Sequence, residues 1–335
     1  RRPPRSTLFP YTTLFRSRLE LEEKFPDVEF TPVMGDIRMI HRVESIYQRF
    51  HPQLVFHAAA YKHVPLMEEN PCEAVHTNVY GTRNVADMAV KYDVDKFIMV
   101  STDKAVNPTN VMGASKRLAE MYVQSLSIAI SKGRHSGKTR FITTRFGNVL
   151  GSNGSVIPRF REQLAKGGPL TVTHPDIIRY FMTIPEACRL VLEAAFMGKG
   201  NEIFVFDMGT PVKIADLARR MIELAGLIPG EDIEIKYTGL RPGEKLYEEK
   251  LMAEEGMEKT PNDLIHIGKP IEMDVQEFFK QLEVLAAYGY ANSEKIRDIV
   301  AAIVPTYHSA DSDLKLHKKV YEELMSEAAV SAEKN

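Results

Sequence analysis

Short continuous runs of apolar residues alternate with stretches of helical spacing between Arg18 and Gly151. The apolar runs predict strands at Val28–Met34, Leu54–His57, Lys96–Ser101 and Arg140–Arg145. The helical spacing predicts helices over Arg38–Phe50, Cys72–Tyr92 and Asn110–Ser131. Because strands that are apolar throughout are buried on both faces, the pattern predicts an α/β fold with a doubly wound parallel sheet.

Beyond Gly151, glycine and proline residues interrupt the chain and the predicted elements become short. The sequence there predicts a strand at Glu202–Phe206 and a helix at Lys213–Leu227. We expect residues 152–308 to form a smaller C-terminal lobe that binds substrate and is interleaved with the last strands of the sheet. Residues 309–335 are polar and charged, and we expect a tail of weak attachment.

The first residues have a different origin from the rest of the chain. Thr7–Ser17 reads TLFPYTTLFRS, which is the in-frame translation of a common DNA-sequencing adapter. A natural leader or targeting peptide is the alternative, but identity over a segment of this length favours the adapter. We therefore expect residues 1–17 to be non-native and the native sequence to begin near Arg18.

Composition and charge exclude several classes of function. The 335 residues carry a formal net charge of -2, so nothing favours nucleic acid as a partner. No apolar run reaches the roughly 18 residues that a membrane helix needs, so we expect no membrane span. Cys72 and Cys188 lack metal-ligand spacing, as do the histidines, so we expect no metal site. The two cysteines are expected to be reduced in a cytoplasmic protein, although a pair also permits one disulfide.

The strongest chemical signal follows the predicted strand Lys96–Ser101. Thr102, Asp103 and Lys104 place a hydroxyl, an acid and a base at the carboxyl end of that strand, where open α/β sheets bind their ligands. Acidic and basic residues are also ordinary in loops, so these three alone do not decide for catalysis. The residues that flank these three in the sequence are needed to decide between catalysis and an ordinary loop.

The next helix begins after Asn110 as its N-cap and carries Met112 and Lys116 on one face, four residues apart. Short-chain dehydrogenases have the pattern YxxxK at this place, whereas this chain reads MxxxK. It resembles the subgroup of sugar-nucleotide dehydratases in the CapD-type polysaccharide biosynthesis family that carries methionine there. Further matching motifs occur in order over residues 18–270, and the resemblance extends to about Pro305: GDIR at Gly35–Arg38, HAAAYKHVPLMEENP at His57–Pro71, NVYGT at Asn78–Thr82, STDKAVNPTNVMGASKR at Ser101–Arg117, TRFGNVLGSNGSVIP at Thr144–Pro158, IRYFM at Ile178–Met182 and RPGEKLYEE at Arg241–Glu249.

The resemblance implies a Rossmann-like enzyme of the extended short-chain dehydrogenase/reductase type. It implies 4,6-dehydration of a nucleotide sugar such as UDP-N-acetylglucosamine, with NAD (or NADP) as cofactor. In that chemistry Asp103 protonates the C6 hydroxyl and Lys104 removes the C5 proton. Lys116 orients the nicotinamide ribose, and Met112 stands in place of the usual tyrosine proton acceptor. Thr102 or Asp103 must then accept the proton of the C4 hydroxyl, and both assignments stay open.

Several residues near the predicted strand ends are candidates for binding the cofactor. Asp36 can accept from the adenine amino group and Ile37 can cover the base, although Asp36 can equally be a helix N-cap. Asn78 is a poor helix former and can bond to the strand-end backbone, which would also be a structural role. The resemblance places Lys62 near the cofactor. Small side chains, which either admit a dinucleotide or only permit tight packing, follow the second predicted strand at Ala58, Ala59 and Ala60.

The candidates for substrate binding follow the predicted strand Arg140–Arg145. Asn148 lies in a glycine-rich loop and can bond to a phosphate or hydroxyl group. Ser155 and Val156 open a helix whose N-terminus suits an anionic diphosphate. Arg179 and Arg241 are candidates for phosphate contacts because both lie in matching motifs. Glu244 is expected to pair with Arg241 or to reach the uracil or the ribose.

The Gly-rich turn that normally holds a dinucleotide's diphosphate is not found in the sequence, since Gly35 is the first glycine and follows what resembles the third strand. We therefore expect the first βαβ unit to be missing and residues 18–151 to be a partial NAD-binding domain. A nucleotide-sugar 4-epimerase and an inactive fragment that only binds are the alternatives. The resemblance is compatible with a homo-oligomer and with membrane helices upstream, at the cytoplasmic face of the inner membrane.

Overall fold

The computed structural model describes residues 18–152, 154–248, 257–290 and 295–308. The predicted adapter segment 1–17 and the predicted tail 309–335 lie outside these residues. The chain divides into two compact units between Asp36 and Ile37. The first unit contains helix α1 at residues 18–24. The strand predicted at Val28–Met34 is wrong. These residues are all described, and they form no strand and pair with no other strand. A strand is stabilised by backbone hydrogen bonds to a neighbouring strand.

The second unit begins with elements close to those predicted. They are α2 (Ile40–Phe50), β1 (Leu54–His57), α3 (Val64–Glu69), α4 (Pro71–Ala74), α5 (Gly81–Lys91), β2 (Lys96–Thr102), α6 (Val111–Ser131), β3 (Arg140–Phe146) and β4 (Asn148–Val149). The π-helical segment Val75–Tyr80 joins α4 to α5, so the long helix predicted from Cys72 is present but wider at its middle. A 3-10 turn, Asp103–Ala105, follows β2.

Shorter elements make up the rest of the chain. They are α7 (Val156–Ala165), β5 (Leu170–Val172), β6 (Ile178–Arg179), β7 (Phe181–Met182), α8 (Ile184–Met197), β8 (Glu202–Phe206), β9 (Val212–Lys213), α9 (Ile214–Leu224), β10 (Ile235–Tyr237), β11 (Glu258–Lys259), β12 (Ile265–Gly268), α10 (Val275–Tyr290) and α11 (Ile296–Ile303). The predicted strand at Glu202–Phe206 is confirmed, and the predicted helix at Lys213–Leu227 is present as α9.

The central sheet has six strands among the described residues, in the order β1-β2-β3-β8-β12-β11. The first four are parallel, and β12 and β11 are antiparallel to their neighbours. Thr102 pairs with Phe146 at the ends of β2 and β3. The residues that follow these two strands therefore emerge at the same edge of the sheet, which is the edge that open parallel sheets use for ligands.

Apolar packing covers both faces of the sheet at β2, whereas Leu54 and Phe56 of the edge strand β1 are exposed. Phe97 belongs to a core shared with α5, α6, α10 and α11, while its neighbour Ile98 belongs to a second core shared with α8. Both residues are 0% exposed. Because successive strand residues point to opposite faces, this division confirms the doubly wound α/β fold that the continuous apolar runs predict.

A separate apolar cluster is formed by residues that follow β4 in the chain, and it joins α7, β5 and α9. It is built from Phe160, Leu170, Val172, Ile177, Ile214, Ala218, Ile222 and Ile233. This cluster is separate from the two that flank the central sheet, to which β8 returns as a strand beside β3. The smaller substrate-binding lobe stays a prediction. The boundary at residues 151 and 152 stays a prediction.

Helix α8 is not among the predicted helices, although its N-terminus has a clear sequence signature. Thr183 accepts from the Glu186 N–H, and the Glu186 carboxylate accepts from the Thr183 N–H, which makes a capping box. Pro185 falls in the first turn, where its missing N–H costs nothing. Pro185 is one of the prolines expected to interrupt the chain beyond Gly151, whereas in the structure it lies at a helix start. Among the described helices, none has both the length and the apolarity needed to cross a bilayer.

Candidate active site

The carboxyl end of β2 brings a hydroxyl, a carboxylate and an amine into one hydrogen-bonded group. Thr102 Oγ1 donates to Asp103 Oδ1 at 2.8 Å. Lys104 Nζ donates to the same carboxylate oxygen at 3.0 Å. The 3-10 turn that follows the strand holds these three consecutive side chains on the same side. Acid and base are therefore in direct contact.

Lys104 is also bonded from two other parts of the chain. Its Nζ donates to Asn148 Oδ1 at 3.1 Å and to Glu248 Oε1 at 3.0 Å. Burial disfavours the charged amine, but the carboxylates of Asp103 and Glu248 outweigh burial and raise the pKa of Lys104 above its ordinary value. In the free protein Lys104 is therefore an ammonium ion.

The first turn of α6 packs directly against the backbone of Lys104. Asn110 Oδ1 accepts from the Gly113 N–H at 2.8 Å, so Asn110 is the predicted N-cap. A Cβ atom at Gly113 would lie 2.2 Å from the Lys104 carbonyl oxygen. Only glycine lets the helix approach the 3-10 turn this closely.

One turn further along α6, Lys116 reaches back to β2. Its Nζ donates to the Val100 carbonyl oxygen at 2.8 Å, and the residue is 6% exposed. Burial lowers the pKa of Lys116 to about 8, against the opposing effect of the Glu120 carboxylate. Burial, reinforced by the Lys116 charge, also lowers the pKa of His57 to about 3. His57 is therefore neutral, and it is hydrogen-bonded to Thr82 Oγ1 at 2.8 Å.

A cleft at this edge of the sheet collects most of the predicted catalytic and cofactor-binding residues. Ala58, Ala60 and Lys62 line it beside Thr102, Lys104, Met112, Lys116, Asn148 and Ser155. Ala59 is exposed next to the cleft, and Asp103 lies behind Lys104 at 8% exposure. The structure thus brings together residues that lie in separate motifs of the sequence.

Asn78 lies in the π-helical segment and holds the chain that follows β1. Its Oδ1 accepts from the Tyr61 N–H at 2.8 Å, and its Nδ2 donates to the Tyr61 carbonyl oxygen at 3.0 Å. A third bond joins Nδ2 to Ser115 Oγ on α6 at 2.9 Å. Asn78 is 0% exposed, and its hydrogen bonds are to residues that form the wall of the cleft.

Asp36 and Ile37 lie on either side of the division between the two units. Helix α2 begins after Met39 as N-cap, so the alternative role of Asp36 as a helix N-cap is wrong. Ile37 packs on Gly81, where an added Cβ would lie 2.5 Å from Ile37 Cδ1. The adenine contacts of both residues stay a prediction.

A second cavity lies beside the cleft and contains all the predicted substrate-binding residues. It is lined by Asn148, Ser155, Val156, Arg179, Arg241 and Glu244, among others. The N-cap residue Ser155 makes no side-chain capping bond, and its hydroxyl has no partner among the described residues. The helix N-terminus and a free hydroxyl are together suited to an anion.

The two arginines of this cavity differ in their partners. Arg179 donates to Glu244 Oε1 at 3.3 Å and to the Lys245 carbonyl oxygen at 2.9 Å, and its Nε lies 3.3 Å from Glu248 Oε1. Arg241 is exposed, and its guanidinium has no hydrogen bond or ion pair within the described residues. Arg179 thus fixes the 244–248 loop, whereas Arg241 is available for a phosphate group.

Glu248 is the functional candidate that the sequence did not single out. Its side chain is 6% exposed and contacts Lys104 Nζ and Arg179 Nε. Asn148 Nδ2 donates to Glu248 Oε2 at 2.9 Å. The separation of 144 residues from Lys104 hides this contact from local patterns. Its place in the RPGEKLYEE motif was the one available signal.

The sequence matches the family described as "Polysaccharide biosynthesis protein" over residues 12–270. The chain belongs to this family. Its Rossmann-like sheet and its relatives place it among the extended short-chain dehydrogenases/reductases of the CapD type, as the resemblance implied.

Relatives and solved structures agree on the family. The chain is 54% identical to the capsular polysaccharide biosynthesis protein CapD of Staphylococcus aureus over 242 residues, which are 72% of this chain and 39% of CapD. It is 41% identical to a UDP-glucose 4-epimerase of Rickettsia canadensis over 291 residues, covering 84% of this chain and 82% of that protein. The X-ray structure of Pen from Bacillus thuringiensis matches with a TM-score of 0.68 at 39% identity, covering 78% of each chain.

The chain spans only part of the first two curated relatives. It covers 39% of CapD and 42% of the probable polysaccharide biosynthesis protein EpsC of Bacillus subtilis. Activities of those longer proteins therefore enter only as proposals.

Proposed function

We propose that this chain carries the catalytic residues for NAD-dependent 4,6-dehydration of a UDP-N-acetylhexosamine, with UDP-N-acetylglucosamine as the substrate. The observation that carries the proposal is the contact of Asp103 with Lys104 at the end of β2, 3.0 Å apart. Dehydration needs an acid for the C6 oxygen and a base for the C5 proton, and this pair supplies both. Met112, in the tyrosine position, cannot transfer a proton.

The nucleotide end of the substrate is assigned to the second cavity. The N-terminus of α7 with Ser155, and the exposed guanidinium of Arg241, are suited to the diphosphate. Asn148 lines both cavities, so a molecule that fills the second cavity extends its sugar towards Lys104.

The C4 hydroxyl is assigned to Thr102. Thr102 lines the cleft, whereas Asp103 lies behind it, and the Thr102 hydroxyl already donates to Asp103 at 2.8 Å. A proton leaving the C4 oxygen can pass to Thr102 Oγ1 while the Thr102 proton passes to Asp103. Asp103 then carries the proton that the leaving C6 hydroxyl requires, and one water molecule departs.

Lys104 acts as the neutral amine, after its ammonium proton has been released to solvent. It takes the C5 proton and later delivers a solvent-exchangeable proton to C5, so the base is regenerated. The 4-keto group makes the C5 proton acidic. A bound nicotinamide cofactor would supply the group that accepts the hydride from C4 and later donates this hydride to C6. Net loss of water is the only change, so the reaction is a lyase step.

The cleft residues fit the nicotinamide end of such a cofactor. The Lys116 amine is buried beside Val100 at the sheet edge, and Ala58 and Ala60 offer little side-chain bulk. The sequence contains no Gly-rich turn before Gly35 to hold the cofactor's diphosphate. Titration of this chain with NAD measures whether the remaining contacts suffice, and micromolar binding would show that they do.

Product analysis tests the reaction. We expect incubation with UDP-N-acetylglucosamine and NAD to yield a product lighter by one water, a 4-keto-6-deoxy sugar that borohydride reduces. Lys104→Met should abolish the product. A C4 epimer of unchanged mass would contradict dehydration.

A nucleotide-sugar 4-epimerase is the second candidate, because a relative named UDP-glucose 4-epimerase is 41% identical over 291 residues. An epimerase uses the same hydride removal at C4 but needs no base for the C5 proton. Solvent deuterium separates the two reactions: dehydration incorporates it at C5, and epimerisation does not.

A further inference from the structure

Glu248 is a buried carboxylate between two cations. Its Oε1 accepts from Lys104 Nζ at 3.0 Å and lies 3.3 Å from Arg179 Nε. Asn148 Nδ2 donates to both carboxylate oxygens, at 3.2 and 2.9 Å. With the side chain 6% exposed, water contributes little to its solvation. Lys104, Arg179 and Asn148 therefore fix the carboxylate in one place.

A neighbouring glutamate on the same loop provides an internal comparison. Glu244 Oε1 also accepts from Arg179, at 3.3 Å, but its bonding partners among the described residues do not include Lys104. Its other bonds are from the Thr173 hydroxyl at 3.2 Å and the Arg241 N–H at 3.1 Å. Two carboxylates thus share one arginine, and Glu248 alone extends the network to the amine.

The ionisable groups around Lys104 are few. Asp103 faces it from its own turn, Glu248 from the 244–248 loop, and Arg179 from β6 through Glu248. Among the described residues, the other charged or titratable groups that line the cleft and a third cavity, which Lys104 and Glu248 also line, are Tyr61, Lys62, His63, Lys116, Arg241, Glu244 and Lys245. Two carboxylates in contact with the amine therefore hold its proton.

During dehydration these two carboxylates do not stay equivalent. Once Asp103 has received the proton of the C4 hydroxyl, it no longer carries a negative charge. Of the carboxylates in the described part of the chain, Glu248 is then the charged one that contacts Lys104. As the C5–H bond breaks and an N–H bond forms on Lys104, the electron pair stays on C5 beside the 4-keto group, and the new ammonium faces Glu248.

We propose that Glu248 is a positioning residue for this reaction: its carboxylate ties the Lys104 amine to the 244–248 loop and is the counter-ion that retains its proton. The inference rests on the proposed function, because the C5 proton gives the Lys104 amine its task. Its electrostatic part concerns the free protein and can be measured without turnover.

Limited labelling of the free protein with an amine-selective reagent, quantified by mass spectrometry of the Lys104 peptide over a pH series, tests it. Only the neutral amine reacts, so the midpoint of labelling reports the protonation of Lys104. Glu248→Gln keeps the shape but removes the charge, and we expect the midpoint to fall by about one pH unit. Glu248→Asp should restore it. The matched control is Glu244→Gln, which weakens the contact with Arg179 and should leave the midpoint in place.

An unchanged midpoint in Glu248→Gln, or an equal shift in Glu244→Gln, overturns the proposal. If Glu248→Gln does not fold, wild-type protein still decides: Lys104 should label at higher pH than the exposed Lys138, and the reverse order contradicts the proposal. In active enzyme, the acidic limb of the kcat/KM profile should move to lower pH in Glu248→Gln. A shifted labelling midpoint without any 4-keto product would refute the dehydratase and leave the charge control by Glu248 standing.

Discussion

Arg145 and Glu120 form a buried ion pair with two hydrogen bonds behind the cleft. Arg145 Nε donates to Glu120 Oε1 at 2.9 Å and Nη2 donates to Oε2 at 2.7 Å. The side chains are 1% and 0% exposed. Glu120 is four residues after Lys116 on α6, and its negative charge opposes the effect of burial on the Lys116 amine.

Arg145→Met should destabilise the protein because it removes the cation that makes two hydrogen bonds to the buried Glu120 carboxylate, and the contact of Glu120 with Arg117 is longer, at 3.5 Å. We expect the free energy of unfolding to fall by about 3 kcal/mol, measured by urea denaturation. Lys166→Met is the control, since Lys166 and Glu162 pair at the surface and should contribute less than about 1 kcal/mol. Similar small losses in both variants would show that the buried pair is not needed.

His57 should make stability depend on pH in the acidic range. Its pKa is about 3 in the folded protein and 6.5 ordinarily, so between these values the unfolded state binds more protons. The free energy of unfolding should therefore fall as the pH is lowered from 6.5 towards 3, by up to about 1.4 kcal/mol per pH unit. Urea denaturation at several pH values measures the slope.

His57→Gln should reduce this slope because it removes the titrating group and keeps a donor for Thr82. His41→Gln, at an exposed position of α2, is the control. If both variants retain the wild-type slope, another group causes the acid sensitivity.

Lys116 should make the free energy of unfolding depend on pH in the alkaline range, and this free energy should again rise with pH. Its pKa is about 8 when folded and 10.5 ordinarily, so the unfolded state again binds more protons between these values. The free energy of unfolding should gain a contribution that rises from pH 8 to pH 10.5, at most about 1.4 kcal/mol per unit. Lys116→Met should lack this contribution, while Lys138→Met, at a position whose side chain is 62% exposed, should keep it.

The contact of α6 with the 3-10 turn predicts opposite effects for two helical glycines. Gly113→Ala places a Cβ atom 2.2 Å from the Lys104 carbonyl oxygen and should cost about 1–3 kcal/mol. Gly289→Ala meets its nearest neighbour at 3.5 Å and should stabilise the protein by roughly 0.5–1 kcal/mol. Thermal denaturation of both variants tests the pair, and equal effects would exclude the close approach as the cause.

The sequence predicted those elements whose signal is local. The largely apolar runs at β1, β2 and β3 predicted strands at nearly the observed residues, although only β2 and β3 are buried along most of their length. Asn110 was predicted as an N-cap for the same local reason. The strand expected at Val28–Met34 failed because apolar letters do not show whether a neighbouring strand is present to pair with.

The candidate site was predictable only in its local part. Thr102, Asp103, Lys104 and Lys116 lie within 15 consecutive residues on a strand end and the next helix, so their shared cleft follows from the topology. Glu248 joins them through a loop 144 residues away, and tertiary packing alone determines that contact. Arg179 was expected to be available for phosphate, but its partners on the 244–248 loop could not be read from its motif.

Asn148 touches both ends of the proposed substrate path, since it lines the two cavities and bonds to Lys104 and Glu248. Binding of the nucleotide in the second cavity can therefore position Asn148, and through it Lys104 and Glu248, next to the sugar ring. A sugar 1-phosphate without the nucleoside would lose this contribution, and it should turn over more slowly even when it saturates the enzyme. The uridine would then act as an activator that is carried by the substrate itself.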